Sequence, residues 1–241
     1  MAHASITHKP SALGKEQNLE VIFPESATRP LPVLYLLHGL SDNQTSWGRK
    51  SSVEFFVQGK ELIVVMPDAA RSFYTDMKHG ENYFTYIAQE LPAFIESTFP
   101  VSKRREDTYI AGLSMGGYGA LKTAFTYPER FGGVASFSGV CDIEERVAQN
   151  LTDFTTIFGP EADLTPHSLF HLAKQADLAA QKPKIYQWCG TEDFLYDANV
   201  KFRDFMETLS FDYTYRESEG GHSWDRWNEQ IHMALKFFDL I

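Results

Sequence analysis

The sequence predicts an α/β fold, a mostly parallel sheet with helices on both faces. Short apolar runs alternate with amphipathic segments along the whole chain. Two of those runs, 33–37 and 62–66, are apolar almost without interruption, as strands covered on both faces must be. A G-x-S-x-G pentapeptide, Gly112-Leu113-Ser114-Met115-Gly116, lies where a strand-like run gives way to a helix-like one. At 241 residues the chain fits one domain spanning 1–241, since such folds run to roughly 250 residues without dividing. Its 43% hydrophobic and 14% aromatic content supplies a large core. It shows no internal repeat, low-complexity tract or long linker.

Strands are expected at 19–23, 33–37, 62–66, 108–111, 133–136, 184–188 and 213–217. The last alternates (Tyr213-Thr-Tyr-Arg-Glu) and so belongs nearer an edge. Helices are expected at 53–58, 83–97, 115–126, 199–209 and 228–240. In 83–97, Tyr83, Tyr86, Ile87, Leu91, Phe94 and Ile95 fall at helical spacing, Pro92 is placed to kink the run, and Pro100 marks its end. The stretch 142–181 differs. Its short helical patterns break at Gly159-Pro160 and Pro166 and it holds no clear strand. It reads as a small helical insertion over the C-terminal edge of the sheet, a cap shaping a pocket, with a plain surface excursion as the alternative.

The pentapeptide carries chemistry only in context, because its pattern recurs by chance. Here Thr108-Tyr-Ile-Ala precedes it as a strand and 118–125 follows as a helix. Such a corner holds the serine at a strained backbone position with its hydroxyl outward. The flanking glycines avoid collisions with the neighbouring strand and helix. Ser114 is therefore the candidate nucleophile, against a glycine-rich turn with an incidental serine.

A serine hydroxyl needs a base within hydrogen-bond reach. Of eight histidines, His222 falls in Gly220-Gly-His-Ser-Trp, after the last strand and before the last helix. The two glycines let that loop swing an imidazole over the sheet edge. A carboxylate must in turn orient the base. Asp193, in Gly190-Thr-Glu-Asp-Phe-Leu after the strand at 184–188, is the choice, with Glu192, Asp197 and Asp142 as competitors. The chain order Ser114, Asp193, His222 is that of the α/β-hydrolase fold. Two backbone donors are expected to hold a developing oxyanion: the N–H of Met115, at the helix start, and that of Leu40, in Leu36-Leu-His-Gly-Leu after an early strand. His38, in the same loop, is expected to support it through hydrogen bonds.

With those residues in place the chain resembles the esterase D-type branch of the α/β-hydrolases, most closely the small bacterial tributyrin esterase-like carboxylesterases. The motifs shared are Leu34-Tyr-Leu-Leu-His-Gly-Leu-Ser-Asp, Met66-Pro-Asp, Arg71-Ser-Phe-Tyr-Thr-Asp, Ala111-Gly-Leu-Ser-Met-Gly-Gly-Tyr-Gly-Ala-Leu, Cys189-Gly-Thr-Glu-Asp-Phe-Leu and Gly220-Gly-His-Ser-Trp. They span nearly the whole chain in order. The resemblance implies a triad on Ser114, Asp193 and His222, an oxyanion hole at Leu40 and Met115, short-chain acyl esters as substrates, and no metal or organic cofactor. Feruloyl and acetylxylan esterases and S-formylglutathione hydrolases share the pattern, so ester and thioester hydrolysis both stay open. A hydrolase-fold binding protein without catalysis would lack a triad member, and none is missing. An acyltransferase would prefer an acceptor other than water. A peptidase of this fold usually carries a further domain.

The charge balance, 22 basic against 32 acidic side chains for a net −10, disfavours nucleic acid and anionic membrane surfaces as partners. No apolar run approaches the ~18 residues that span a bilayer. The first residues show no signal-peptide h-region, which makes the cytoplasm the expected location. Cys141 and Cys189, each ending an apolar run, read as buried free thiols. Asn43-Gln-Thr and Asn150-Leu-Thr match a glycosylation pattern that has no use without export. Trp47, Tyr74 and Trp224 lie on loops near the expected site and read as packing rather than substrate contacts. Association into a homo-oligomer is left open, and exposed aromatics in 142–181 would favour it.

Overall fold

In the computed structural model, which describes residues 1–149 and 152–241, eight strands hydrogen-bond into one sheet. They are β1 (Ala2–His8), β2 (Gln17–Phe23), β3 (Val33–Leu37), β4 (Ile63–Pro67), β5 (Thr108–Leu113), β6 (Gly133–Phe137), β7 (Lys184–Gly190) and β8 (Tyr213–Ser218). Their order across the sheet is β1-β2-β4-β3-β5-β6-β7-β8. β1 and β2 pair antiparallel with each other, and β2 with β4; every other pair is parallel. This is the α/β-hydrolase arrangement.

Side-chain alternation explains both helical layers. Val33, Tyr35 and Leu37 of β3, with Ile63 and Val65 of β4, face one core. Helices α4 (Leu91–Thr98), α5 (Met115–Thr126), α8 (Leu169–Ala176) and α9 (Tyr196–Met206) contribute to that core through residues such as Ile95, Leu121, Leu172 and Phe202. The intervening Leu34, Leu36, Val64 and Met66 face the other core, which receives Trp47 from α1 (Ser46–Lys50), Val53 from α2 (Val53–Phe56) and Ile231 from α10 (Trp224–Phe237). β3 and β4 are buried at every position, so each Val, Leu or Ile there contributes roughly 1.5–3 kcal/mol by leaving water.

All seven expected strands form, and β8 is an edge. The eighth, β1, was not expected, because its alternating half-buried pattern carries no large apolar run. Cross-strand polar pairs hold it to β2: the Ser5 hydroxyl donates to Glu20 at 2.6–2.7 Å, and Thr7 to Asn18 at 2.7 Å. The short α1 was also unanticipated. In the helical run from Tyr83, α3 (Tyr83–Thr85) leads into a π turn at Tyr86–Glu90 and then into α4. Leu91 N–H bonds the Tyr86 carbonyl, widening the turn just before Pro92. Pro92 has no N–H for the Ala88 carbonyl, which instead accepts from the Arg130 guanidinium.

The 142–181 stretch, between β6 and β7, divides in two. α6 (Ile143–Ala148) and α7 (Thr152–Phe158) lie on the side of the sheet's C-terminal edge, where Arg71, in the loop after β4, pairs with Asp153 at 2.7 Å. α8 instead packs with α5 and α9 in the layer over the sheet. Its aromatics turn inward: Phe154 and Phe158 are buried, and Phe170 packs on Phe202 and Phe205. Asn150 and Leu151 of the second glycosylation pattern lie outside the described residues.

Candidate active site

The parallel strands β3, β5, β6, β7 and β8 all end at one rim, and the loops after them build a single polar arrangement. Ser114 occupies the corner between β5 and α5 with φ 53° and ψ −118°, a conformation L-residues rarely adopt. Backbone bonds hold it there: its N–H donates to the Phe137 carbonyl at 2.9 Å, and its carbonyl accepts from Tyr118 at 3.1 Å. The corner fits because Gly116 passes the end of β3, where a Cβ would sit 2.5 Å from the Leu37 carbonyl oxygen.

His222 Nε2 lies 2.9 Å from Ser114 Oγ, and His222 Nδ1 lies 2.8 Å from Asp193 Oδ2. With Nδ1–H donating to the carboxylate, Nε2 is free to accept the serine proton. Two backbone bonds join the loops that carry the pair: Thr191 N–H to the Ser218 carbonyl at 2.9 Å, and Glu192 N–H to the Gly220 carbonyl at 3.0 Å. Gly220, at φ 132°, makes the turn that brings His222 back over the sheet.

The Asp193 side chain is fully buried, whereas the imidazole is 19% exposed. Burial works to raise the Asp193 carboxyl, but the His222 imidazole, the Leu195 amide and the Ser138 hydroxyl outweigh it and hold the group below its ordinary range. The competing acids go elsewhere. Glu192 and Asp197 are exposed, and Asp142 caps α6, accepting from the Glu145 amide at 3.0 Å and pairing with Lys201 at 2.6 Å.

Across the cavity from His222 runs the loop after β3. A Cβ on Gly39 would stand 3.7 Å from that of Ser114, and Leu40 lines the same cavity. Among the described residues neither the Leu40 nor the Met115 N–H donates to a protein acceptor, as an oxyanion site requires. His38 is buried under this loop, with Nδ1 2.7 Å from the Gly39 carbonyl and Nε2 accepting the Ala69 N–H at 2.9 Å. Its role as a support follows from those bonds.

The cavity beside Ser114 measures about 170 Å³, and Phe73, Arg146, Phe194 and Trp227 complete its walls. A larger one, about 320 Å³, opens at the opposite end of the sheet by Val33 and Thr108, but no histidine lines it to serve as a base near neutral pH. Chemistry, not size, singles out the smaller. Trp47, Tyr74 and Trp224 do not line it. Trp47 donates to the Leu37 carbonyl at 3.0 Å and Tyr74 to the His38 carbonyl at 2.9 Å.

Sequence reasoning missed Ser138 and Trp227. Ser138, at φ 47°, accepts the Trp227 indole N–H at 3.1 Å and its hydroxyl helps hold the Asp193 carboxyl low; the Trp227 ring stands edge-on to His222, 4.8 Å between centroids. The one available signal was Phe137-Ser-Gly directly after a strand, which marks a turn but not its partners. Among the described residues no three His, Cys, Asp or Glu side chains gather as a metal site, and no helix is long and apolar enough to cross a membrane.

Comparison with known proteins gives concordant results. Residues 11–238 match the esterase family model, described as "Putative esterase". An acetyl esterase of Caldicellulosiruptor saccharolyticus is 32% identical over 228 residues, covering 88% of this chain and 84% of that protein. A fluorophosphonate-binding serine hydrolase of Staphylococcus aureus superposes with a TM-score of 0.92 at 32% identity over 98% of both chains. An S-formylglutathione hydrolase from the same organism superposes at 0.85, again with 32% identity and 98% coverage of each.

Proposed function

Because the chain belongs to the esterase family and is a serine hydrolase acting on carboxylic ester bonds, we propose that it cleaves short-chain acyl esters through an acyl-enzyme on Ser114. His222 takes the Ser114 proton as Ser114 attacks the ester carbonyl. The Leu40 and Met115 amides hold the oxyanion, and Asp193 anchors the imidazolium. His222 then protonates the departing alkoxide and activates the water that releases the acid. The observation that carries this reading is the unbroken chain from Ser114 Oγ through His222 to Asp193, with contacts of 2.9 and 2.8 Å, opening into a cavity. The small size of that cavity, about 170 Å³, supports the short acyl group. α6 and α7 act as a cap on it, within one domain of residues 1–241.

Ser114→Ala is expected to lower 4-nitrophenyl acetate turnover by on the order of 10⁴-fold or more with an unchanged circular dichroism spectrum. Turnover retained in that variant would overturn the assignment. A 32% identical S-formylglutathione hydrolase supports a second reading, thioester hydrolysis by the same residues. Specificity constants for S-formylglutathione and for 4-nitrophenyl acetate, measured side by side, separate the two. The buried free thiols Cys141 and Cys189 support a reducing, cytoplasmic location.

A further inference from the structure

Resting on the esterase reading above, we propose that Arg146 makes the enzyme selective for esters that carry a carboxylate a short spacer away from the scissile bond. Arg146 lies in the last turn of α6 and lines the cavity that holds Ser114 and His222. Other cations nearby are matched: Arg71 by Asp153, Lys50 by Asp42 and Lys201 by Asp142, at 2.6–2.7 Å. Among the described residues Arg146 has no carboxylate partner, and its Nε is buried without an acceptor. Its Nη1 donates to Gln149. That leaves Nη2, which among the described residues has no protein partner and is not buried, as the donor for a carboxylate oxygen.

The placement suits a substrate group. The guanidinium sits 5.4 Å over the Phe194 ring, and the same ring lies 4.6 Å from the His222 imidazole. Phe194 is 65% exposed, an unusual position for a phenyl ring, and it spans the interval between the guanidinium and the catalytic imidazole. Asp42 also lines the cavity, but Lys50 takes up its charge at 2.7 Å, so it does not neutralise Arg146. In a chain of net charge −10, which repels anions at long range, a guanidinium without a carboxylate partner in the cavity that holds the nucleophile supplies local attraction.

The carboxylate could sit on the alcohol or on the acyl part, and two pairs of isosteric esters distinguish these. One compares 4-carboxyphenyl acetate with 4-carbamoylphenyl acetate. The other compares the 4-nitrophenyl monoester of glutaric acid with that of glutaramic acid, after subtraction of spontaneous hydrolysis. In one pair the wild type is expected to favour the carboxylate in kcat/KM by about tenfold or more, the effect of a charge-assisted bond. Arg146→Gln collapses that ratio towards one, and Arg146→Lys keeps part of it. A ratio near one in both pairs, or a ratio that survives Arg146→Gln while both esters slow equally, overturns the proposal and leaves the esterase reading intact. Failure to cleave any of the four esters overturns both. The wild type alone gives a second readout that needs no variant to fold. 4-Hydroxybenzoate or glutarate should inhibit the carbamoyl ester competitively and more strongly than its amide; equal inhibition by acid and amide in both series refutes the proposal.

Discussion

Helix α5 carries two polar clusters about two turns apart, and they meet opposite fates. At its N-terminus Ser114 faces a cavity, and its partner His222 keeps one edge in solvent. Further along, Lys122 is only 3% exposed. Its ammonium donates to the Thr75 hydroxyl at 2.7 Å and the Tyr74 carbonyl at 3.2 Å, lies 3.4 Å from His167 Nδ1, and is flanked by the Phe84 and Tyr118 rings. Burial pushes Lys122 down to about 7; burial, reinforced by the Lys122 charge, pushes His167 down to about 4. Perturbed titration is thus strong in a cluster sealed around Lys122 that does not line the Ser114 cavity. Access together with directional donors left unused makes a reaction site; a shifted proton alone does not.

The strongest way to break the comparison is at Asp193. Asp193→Asn keeps the shape but lets the side-chain amide donate to the imidazole, favouring the wrong tautomer. Turnover should fall by about 10³–10⁴-fold. Steady-state kinetics run beside urea unfolding check this, and near wild-type turnover would count against the anchoring role. The carboxyl titrates below its ordinary value in the fold, so the stability it contributes is present above about pH 4 and lost as pH falls through the native value. The stability gap between wild type and Asp193→Asn should therefore narrow on acidification.

At Lys122 the expected effect is on stability instead. The ammonium titrates near 7 in the fold and near 10.5 when free, so between those values the unfolded chain holds a proton that the native state lacks. Stability of the wild type should rise with pH across that window, by up to roughly 1.4 kcal/mol per unit. Lys122→Met removes the gain. Between pH 7 and 9 the wild type should improve relative to the variant by on the order of 2 kcal/mol in urea denaturation. Parallel pH curves would show that Lys122 does not titrate there. Turnover should change far less than in Asp193→Asn, because the cluster faces no reacting atom.

This contrast also marks what the sequence makes legible. Ser114, Asp193 and His222 could be read because each sits in a loop after a strand, where glycines and chain order constrain position. Their meeting point follows from topology alone. Lys122 could not be read this way. A lysine in a helix implies a solvated face, yet every residue from Met115 to Phe125 is buried, since α5 lies between the sheet and α8. Ser138 and Trp227 are likewise invisible, because their value lies in bonds to residues distant in the chain. β1 escaped because its stability comes from ladder bonds and polar pairs rather than apolar periodicity. The segment 142–181 showed its helices but not their division between the rim and the sheet-covering layer, which depends on what α5 and α9 leave uncovered.

Tyr74 joins the two clusters and offers the finest test. Its hydroxyl donates to the His38 carbonyl at 2.9 Å, two residues before Leu40, while its own carbonyl accepts from Lys122. Its backbone, at φ 48°, belongs to a strained turn with Ala70 and Phe73, and Phe73 lines the cavity. Tyr74→Phe cuts only the site-facing bond and leaves the His38 carbonyl without that donor, so a stability loss of about 1–2 kcal/mol is expected. Any fall in kcat should be modest and should come without a change in the pH dependence set by Lys122. Combining Tyr74→Phe with Lys122→Met then asks whether the strained turn transmits between the clusters. If it is rigid, the two effects on stability add within about 0.5 kcal/mol. A larger coupling would mean that the sealed cluster holds the turn in place for the site, and that the separation drawn between them is one of access only.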